Sequence, residues 1–204
     1  MIKLNKFIQL VLISALSFTV FGCGYNSLVQ MDEKVNQAWS QVENQYQRRA
    51  DLIPNLVKTV QGYADFEKGV LVEVTELRSK VGQIKLSADD LADEDKFKKF
   101  QEAQDQLSGA LSRLLVVAEN YPQLKANENF LQLQTQLEGT ENRIAVERKK
   151  FNEAVQEYNT SIRSFPTLIT AKIFGFKDKQ YFKSVLGTEK PPDVNFDFNK
   201  KETK

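Results

Sequence analysis

Apolar side chains recur along most of this chain at intervals of three and four residues, the mark of helices that each hide one face. The first stripe reads Leu28, Asp32, Val35, Trp39, Val42, Tyr46, Arg49, Ile53, Leu56, Val60 and Tyr63. Pro54 falls inside it but leaves the spacing in phase on both sides. The pattern predicts a single kinked helix, with a fresh helix capped by Asp51 as the alternative. Gly62 weakens its end, and Asp65 is placed to cap a shorter second helix carrying Phe66, Val70, Val74, Leu77, Val81 and Ile84. Ser87 to Asp90 reads as a capping-box-like opening for a third helix bearing Phe97, Phe100, Gln104, Leu107, Leu111, Leu114, Ala118 and Tyr121, with Pro122 at its end. Asn127 can cap a fourth, with Phe130, Leu133, Leu137, Thr140, Ile144, Glu147, Phe151, Ala154, Tyr158 and Phe165 on one face and Pro166 closing the series.

Amphipathic helices joined by short connections bury their stripes most simply in an antiparallel bundle. The expected fold is all-α: an up-down-up-down four-helix bundle over residues 27–165, followed by a short appendage over residues 166–204. A parallel coiled coil is the runner-up, but the connectors are too frequent for it. Arg49 is a charged residue at a stripe position, where burial without a partner costs several kcal/mol. The first and fourth helices of such a bundle are antiparallel neighbours, which puts Arg49 beside residues 140–147, where Glu141 and Glu147 are the carboxylates available. The competing arrangement is an arginine that snorkels to water.

The chain begins with a different pattern. Lys3 and Lys6 precede an uncharged, mostly apolar stretch over residues 7–21. As a helix it would be about 22 Å long, short of a hydrocarbon core of ~30 Å, which favours a signal peptide over a permanent span. Val20-Phe21-Gly22-Cys23 is similar to the lipobox of bacterial lipoproteins, with residues 1–22 as the leader, Cys23 as the lipidated residue and residues 23–26 as a tether. An uncleaved transmembrane anchor is the alternative. Either way the lysines stay inside, and the rest of the chain is expected outside the cytoplasm, at the cell membrane or the outer membrane.

The stretch from Gln41 to Val57, which contains Arg48-Arg49-Ala50-Asp51-Leu52-Ile53-Pro54, resembles the signature of the LemA family. Tyr25 to Val29 and Ala38-Trp39 before it, Gly62-Tyr63-Ala64, Glu141 to Ala145, Tyr158-Asn159 and Phe165-Pro166 extend the likeness over nearly the whole chain beyond the leader. The resemblance implies a membrane-anchored, extracytoplasmic four-helix bundle.

Composition narrows the chemistry. Lys and Arg total 28 against 27 Asp and Glu, so the chain lacks the positive excess that binding a phosphate backbone needs, and nucleic acid is not an expected partner. There is no histidine, the commonest acid–base and metal-ligating residue at neutral pH, and Cys23 is the only cysteine. No phosphate loop, nucleophile elbow or zinc motif occurs. The acidic run Asp89, Asp90, Asp93, Glu94 and Asp95 fits a helix N-terminus better than a calcium loop. Arg48-Arg49 and Arg148-Lys149-Lys150 read as solvated or paired charges rather than anion sites. The expected function is that of a non-catalytic, lipid-anchored scaffold with an unidentified envelope protein as partner, no cofactor and no metal. The alternative is a carboxylate-based hydrolase of the cell envelope. Finally, an even number of helices returns the chain to its anchored end, which would set residues 165–186 near the bilayer. Phe174, Phe176, Tyr181, Phe182, Lys172 and Lys177 suit a headgroup interface, and the competing role is to plug the end of the bundle.

Overall fold

The computed structural model describes residues 2–63 and 66–183, with side chains from residue 24 onward. The regular elements among them are helical: α1 (Ile2–Gln61), α2 (Lys68–Gln83), α3 (Glu94–Ala118), α4 (Pro122–Lys125), α5 (Glu128–Arg163) and α6 (Thr167–Phe174), with a 3-10 turn over Asp89–Ala92 before α3. Residues 1–23, with the expected leader and Cys23, and the tail from residue 184 lie outside the residues whose side chains are described, as does Asp65, the expected cap of α2. Among the described residues no helix is long and apolar enough to cross a membrane.

Helix α1 continues unbroken past Pro54, and Asp51 lies within it rather than capping a fresh helix. Proline has no N–H, so the carbonyl four residues earlier, that of Ala50, loses its helical donor. The Nε of Arg78 in α2 takes that place, donating to the Ala50 oxygen at 2.8 Å. The defect in one helix thus becomes the docking point of the next.

Helix starts follow local chemistry more closely than the stripe pattern does. The group around Ser87 forms the 3-10 turn, where the Asp90 carboxylate accepts from the Ser87 backbone N–H at 2.9 Å and its hydroxyl at 2.7 Å. The cap of α3 is Asp93, which accepts from the Lys96 N–H at 3.0 Å. Asn127 caps α5 through the Phe130 N–H at 3.1 Å. Pro122 opens the extra turn α4 at a first-turn position, where its missing N–H is no loss.

Directions follow from cross-links. Lys34 meets Glu157 and Arg49 meets Glu141, so α1 and α5 are antiparallel. Glu73 meets Arg113 and Lys80 meets Gln106, so α2 and α3 are too. Trp39 packs on Phe97 and Phe100 while Arg49 reaches Ser108, so α1 and α3 run the same way. Among the described residues the buried apolar side chains form two clusters. The first joins Leu28 to Tyr46 of α1 with Phe97, Phe100 and Ile144 to Ile162; the second joins Ile53 to Val60 with α2, Leu107 to Ala118 and Phe130 to Leu137. Arg49, Gln104 and Thr140 are buried polar residues at the level between them.

Candidate functional site

Arg49 is the most notable polar group of the interior, 1% exposed. Its Nη1 lies 3.0 Å from Glu141 Oε1 and 2.5 Å from Ser108 Oγ, and its Nη2 donates to the Gln104 side-chain oxygen. Ser108 in turn donates to Glu141 Oε2 at 3.0 Å. One guanidinium therefore ties α1, α3 and α5, using the planar fork that only arginine has. Glu147, the other carboxylate expected near Arg49, faces away and pairs with Lys150 at 2.8 Å. The reason is angular: six residues beyond Glu141 is well short of two whole turns, so the two side chains leave α5 in different directions.

A groove of about 660 Å³ opens above this cluster, between α3 and α5, with Tyr46 at its base and Tyr181 to Lys183 at one end. Arg148 crosses it, bound to Asp105 at 2.9 Å and lying 4.4 Å above the ring of Phe182. Burial pushes the Tyr46 phenol up to about 12, although Arg148 and Arg49 pull the other way. The acidic run before α3 is engaged locally: Lys96 bonds Asp90 at 2.5 Å, and this contact, ahead of those from Ser87, holds the Asp90 carboxyl far below the usual range. No group of carboxylates able to hold a metal occurs among the described residues.

Beyond Gly175, in the left-handed region at φ 77° where α6 ends, the chain returns as an extended strap along the bundle. Three side-chain amides hold its backbone in reciprocal pairs. Asn159 bonds Lys179 N–H and C=O, both at 2.9 Å; Asn152 does the same for Phe182, both at 2.9 Å; Gln101 does so for Lys183 at 3.1 and 2.8 Å. Phe182 fills the space between Trp39, Phe97 and Phe151. Lys179, buried, meets Asp32 at 2.8 Å.

The family model named LemA matches residues 38–196. The chain belongs to the LemA family. Magnetosome protein MamQ 2 of Paramagnetospirillum magneticum is 30% identical over 202 residues, 89% of this chain and 74% of its own length. MamQ of Magnetospirillum gryphiswaldense is 31% identical over 78% of this chain and 64% of its own. Protein LemA of Metamycoplasma hominis is 26% identical over 72% and 63%. In this LemA chain the residues that carried the resemblance have structural work to do: Trp39 in the aromatic core, Arg49 and Glu141 in the polar cluster, Ala50 and Pro54 at the docking point of α2, Asn159 on the strap.

The residues expected at a headgroup interface divide. Phe182 is buried and Phe176 is half-buried against Tyr25 and Tyr158, because the amide clamps draw the strap into the bundle. Tyr181 is 38% exposed beside the groove, while Phe174, Lys172 and Lys177 are exposed. Sequence reasoning missed Gln104, Ser108, Lys179 and the clamps. A signal existed for some of them: Asp32, Gln104 and Thr140, like Arg49, are polar residues in phase with an apolar stripe.

Proposed function

We propose that this LemA-family chain is a non-catalytic, membrane-anchored protein whose helices stand outside the cytoplasm and present their faces to another envelope protein. We read α1, α2, α3 and α5 as an up-down-up-down four-helix bundle. The opposed pairs α1 with α5 and α2 with α3, and the shared direction of α1 and α3, support that topology. The observation that carries the non-catalytic reading is the use made of the groove's carboxylates. Glu141 is held by Arg49 and Ser108, Asp105 by Arg148, and Glu153 lies 3.9 Å from Lys149. A hydrolase working with a carboxylate pair needs both carboxylates open to a substrate, and here each is already taken up by partners within the bundle. Lipidation at Cys23 would supply the anchor, at the cell membrane or the outer membrane.

Two measurements test this. Intact mass of the N-terminus, with protease treatment of spheroplasts, should give a diacylated chain beginning at Cys23 and cleavage from outside; an unprocessed, unlipidated Met1 sheltered from protease overturns the anchor and its side. Light scattering of the protein taken from envelopes in mild detergent should show a complex whose protein mass exceeds that of one chain. A monomer under every condition overturns the scaffold.

A further inference from the structure

Helix α6 is amphipathic in the wrong sense for a helix packed on a protein in water. Its buried positions are Thr170 and Ala171, and its exposed ones include Ile169, Ile173 and Phe174, at 41%, 66% and 60%. Phe165, just before it, is 81% exposed. Tyr25 of α1, at 38% exposure, adds its ring 4.6 Å from that of Phe174. Elsewhere among the described residues the exposed large apolar side chains Val72, Val116, Leu131, Val146 and Tyr181 are scattered over α2, α3, α5 and the strap. A contiguous apolar patch of this kind marks a surface that is covered in use.

We propose that this patch, from Phe165 to Phe174, seats in the outer part of a lipid bilayer. Three observations choose lipid over a protein partner. The threonine face of α6 packs on α1 at Gly24, where an added Cβ would meet Thr170 Oγ1 at 3.4 Å and Thr167 at 3.8 Å, so α6 lies level with Gly24. Gly24 directly follows Cys23, so this level lies within one residue of the proposed lipid anchor. Lys172 and Lys177, exposed and in no ion pair among the described residues, flank the aromatics as headgroup-level cations do. The strap's departure at Gly175 is what leaves the patch open, since Phe176 and Phe182 turn inward and Ile173 and Phe174 do not. The inference rests on the membrane-anchored reading above and adds that the bundle is held down by a second contact.

The test uses the protein as purified from membranes, reconstituted into vesicles of phosphatidylethanolamine and phosphatidylglycerol, with and without brominated acyl chains. Trp39 is the only tryptophan, so W39F/F174W reports on the patch, and W39F/V116W, at the far end of α3, is the control. Flotation with the vesicles and bromine quenching of F174W several-fold above V116W is the expected result. Flotation with no quenching of F174W overturns the lipid contact and leaves the anchor standing; a blue-shifted but unquenched F174W then identifies a protein cover, such as a second copy. No flotation overturns both readings. Should W39F fail to fold by circular dichroism, the same difference is read with Trp39 present, since its indole is 4% exposed and out of reach of lipid.

Discussion

Arg49 brings a full charge to a site 1% exposed, and its partners explain why the site tolerates it. A buried guanidinium left without its carboxylate is strongly destabilising, by roughly 3–5 kcal/mol for a fully buried pair. Glu141 is one-third exposed, so water can reach the vacated side and the cost is smaller. Glu141→Gln is expected to destabilise by about 2 kcal/mol in urea unfolding, and a double-mutant cycle with Arg49→Met should return a coupling of about 1–3 kcal/mol. A coupling below ~0.5 kcal/mol would mean that the pair adds nothing to stability. Tyr46, next to it, makes a pH prediction. Its phenol ionises at about 10 in the unfolded chain, and burial raises that to about 12 in the folded one. The unfolded state therefore gives up its proton first, and the stability conferred by neutral Tyr46 is complete below pH ~10 and declines as pH climbs towards ~12. Tyr46→Phe should flatten that decline, measured as the midpoint of urea unfolding at several alkaline pH values; parallel profiles for the two proteins would show that Tyr46 does not titrate in this range.

At the scale of elements, the contact of α2 with α1 turns on a missing hydrogen bond. Arg78→Met leaves the Ala50 carbonyl without a donor while Pro54 is present, a loss of about 1–3 kcal/mol for a partly buried acceptor. In a Pro54→Ala background the helix supplies its own N–H, and the same Arg78 substitution should cost clearly less. Equal costs in the two backgrounds, by thermal or urea unfolding, would show that Arg78 does not substitute for the lost donor. How much of this was legible in the sequence depends on what each element uses. The stripes of α1, α3 and α5 were readable because apolar burial on a helix leaves a period, and Arg49 was readable as a charge in phase with one. Its choice of Glu141 over Glu147 needed the true rotation of α5. The bond from Arg78 to Ala50 was hidden because any carbonyl can accept it. The strap was hidden for the same reason: Asn159, Asn152 and Gln101 hold N–H and C=O groups that every residue but proline carries, so Lys179 to Lys183 leave no pattern. Helix α6 had no inward stripe to read, since Ile169, Ile173 and Phe174 face outward.

Taken as a whole, the molecule has two apolar cores stacked along the helices, with the Arg49, Gln104 and Thr140 level between them. The cores have different walls. The strap and α6 contribute Phe182 and Ala171 only to the first, and α2 contributes Val70, Leu71 and Val74 only to the second. A polar layer transmits packing strain poorly compared with interlocked side chains, because hydrogen bonds at the groove can exchange with water, as the one-third exposure of Glu141 permits. Damage to one core should then open that half before the other, as a sub-global unfolding event. Phe182→Ala is the cleanest injury: it removes a ring that contacts Trp39, Phe97 and Phe151 and is expected to cost about 3 kcal/mol. Native-state hydrogen exchange followed by mass spectrometry should show faster exchange in peptides covering residues 28–46, 97–103 and 144–162, with little change in residues 53–60, 107–118 and 130–137. If the bundle is one cooperative unit, the slowest amides of both halves would accelerate together, and the polar layer would then be only a register device between helices and not a boundary between two independently opening cores.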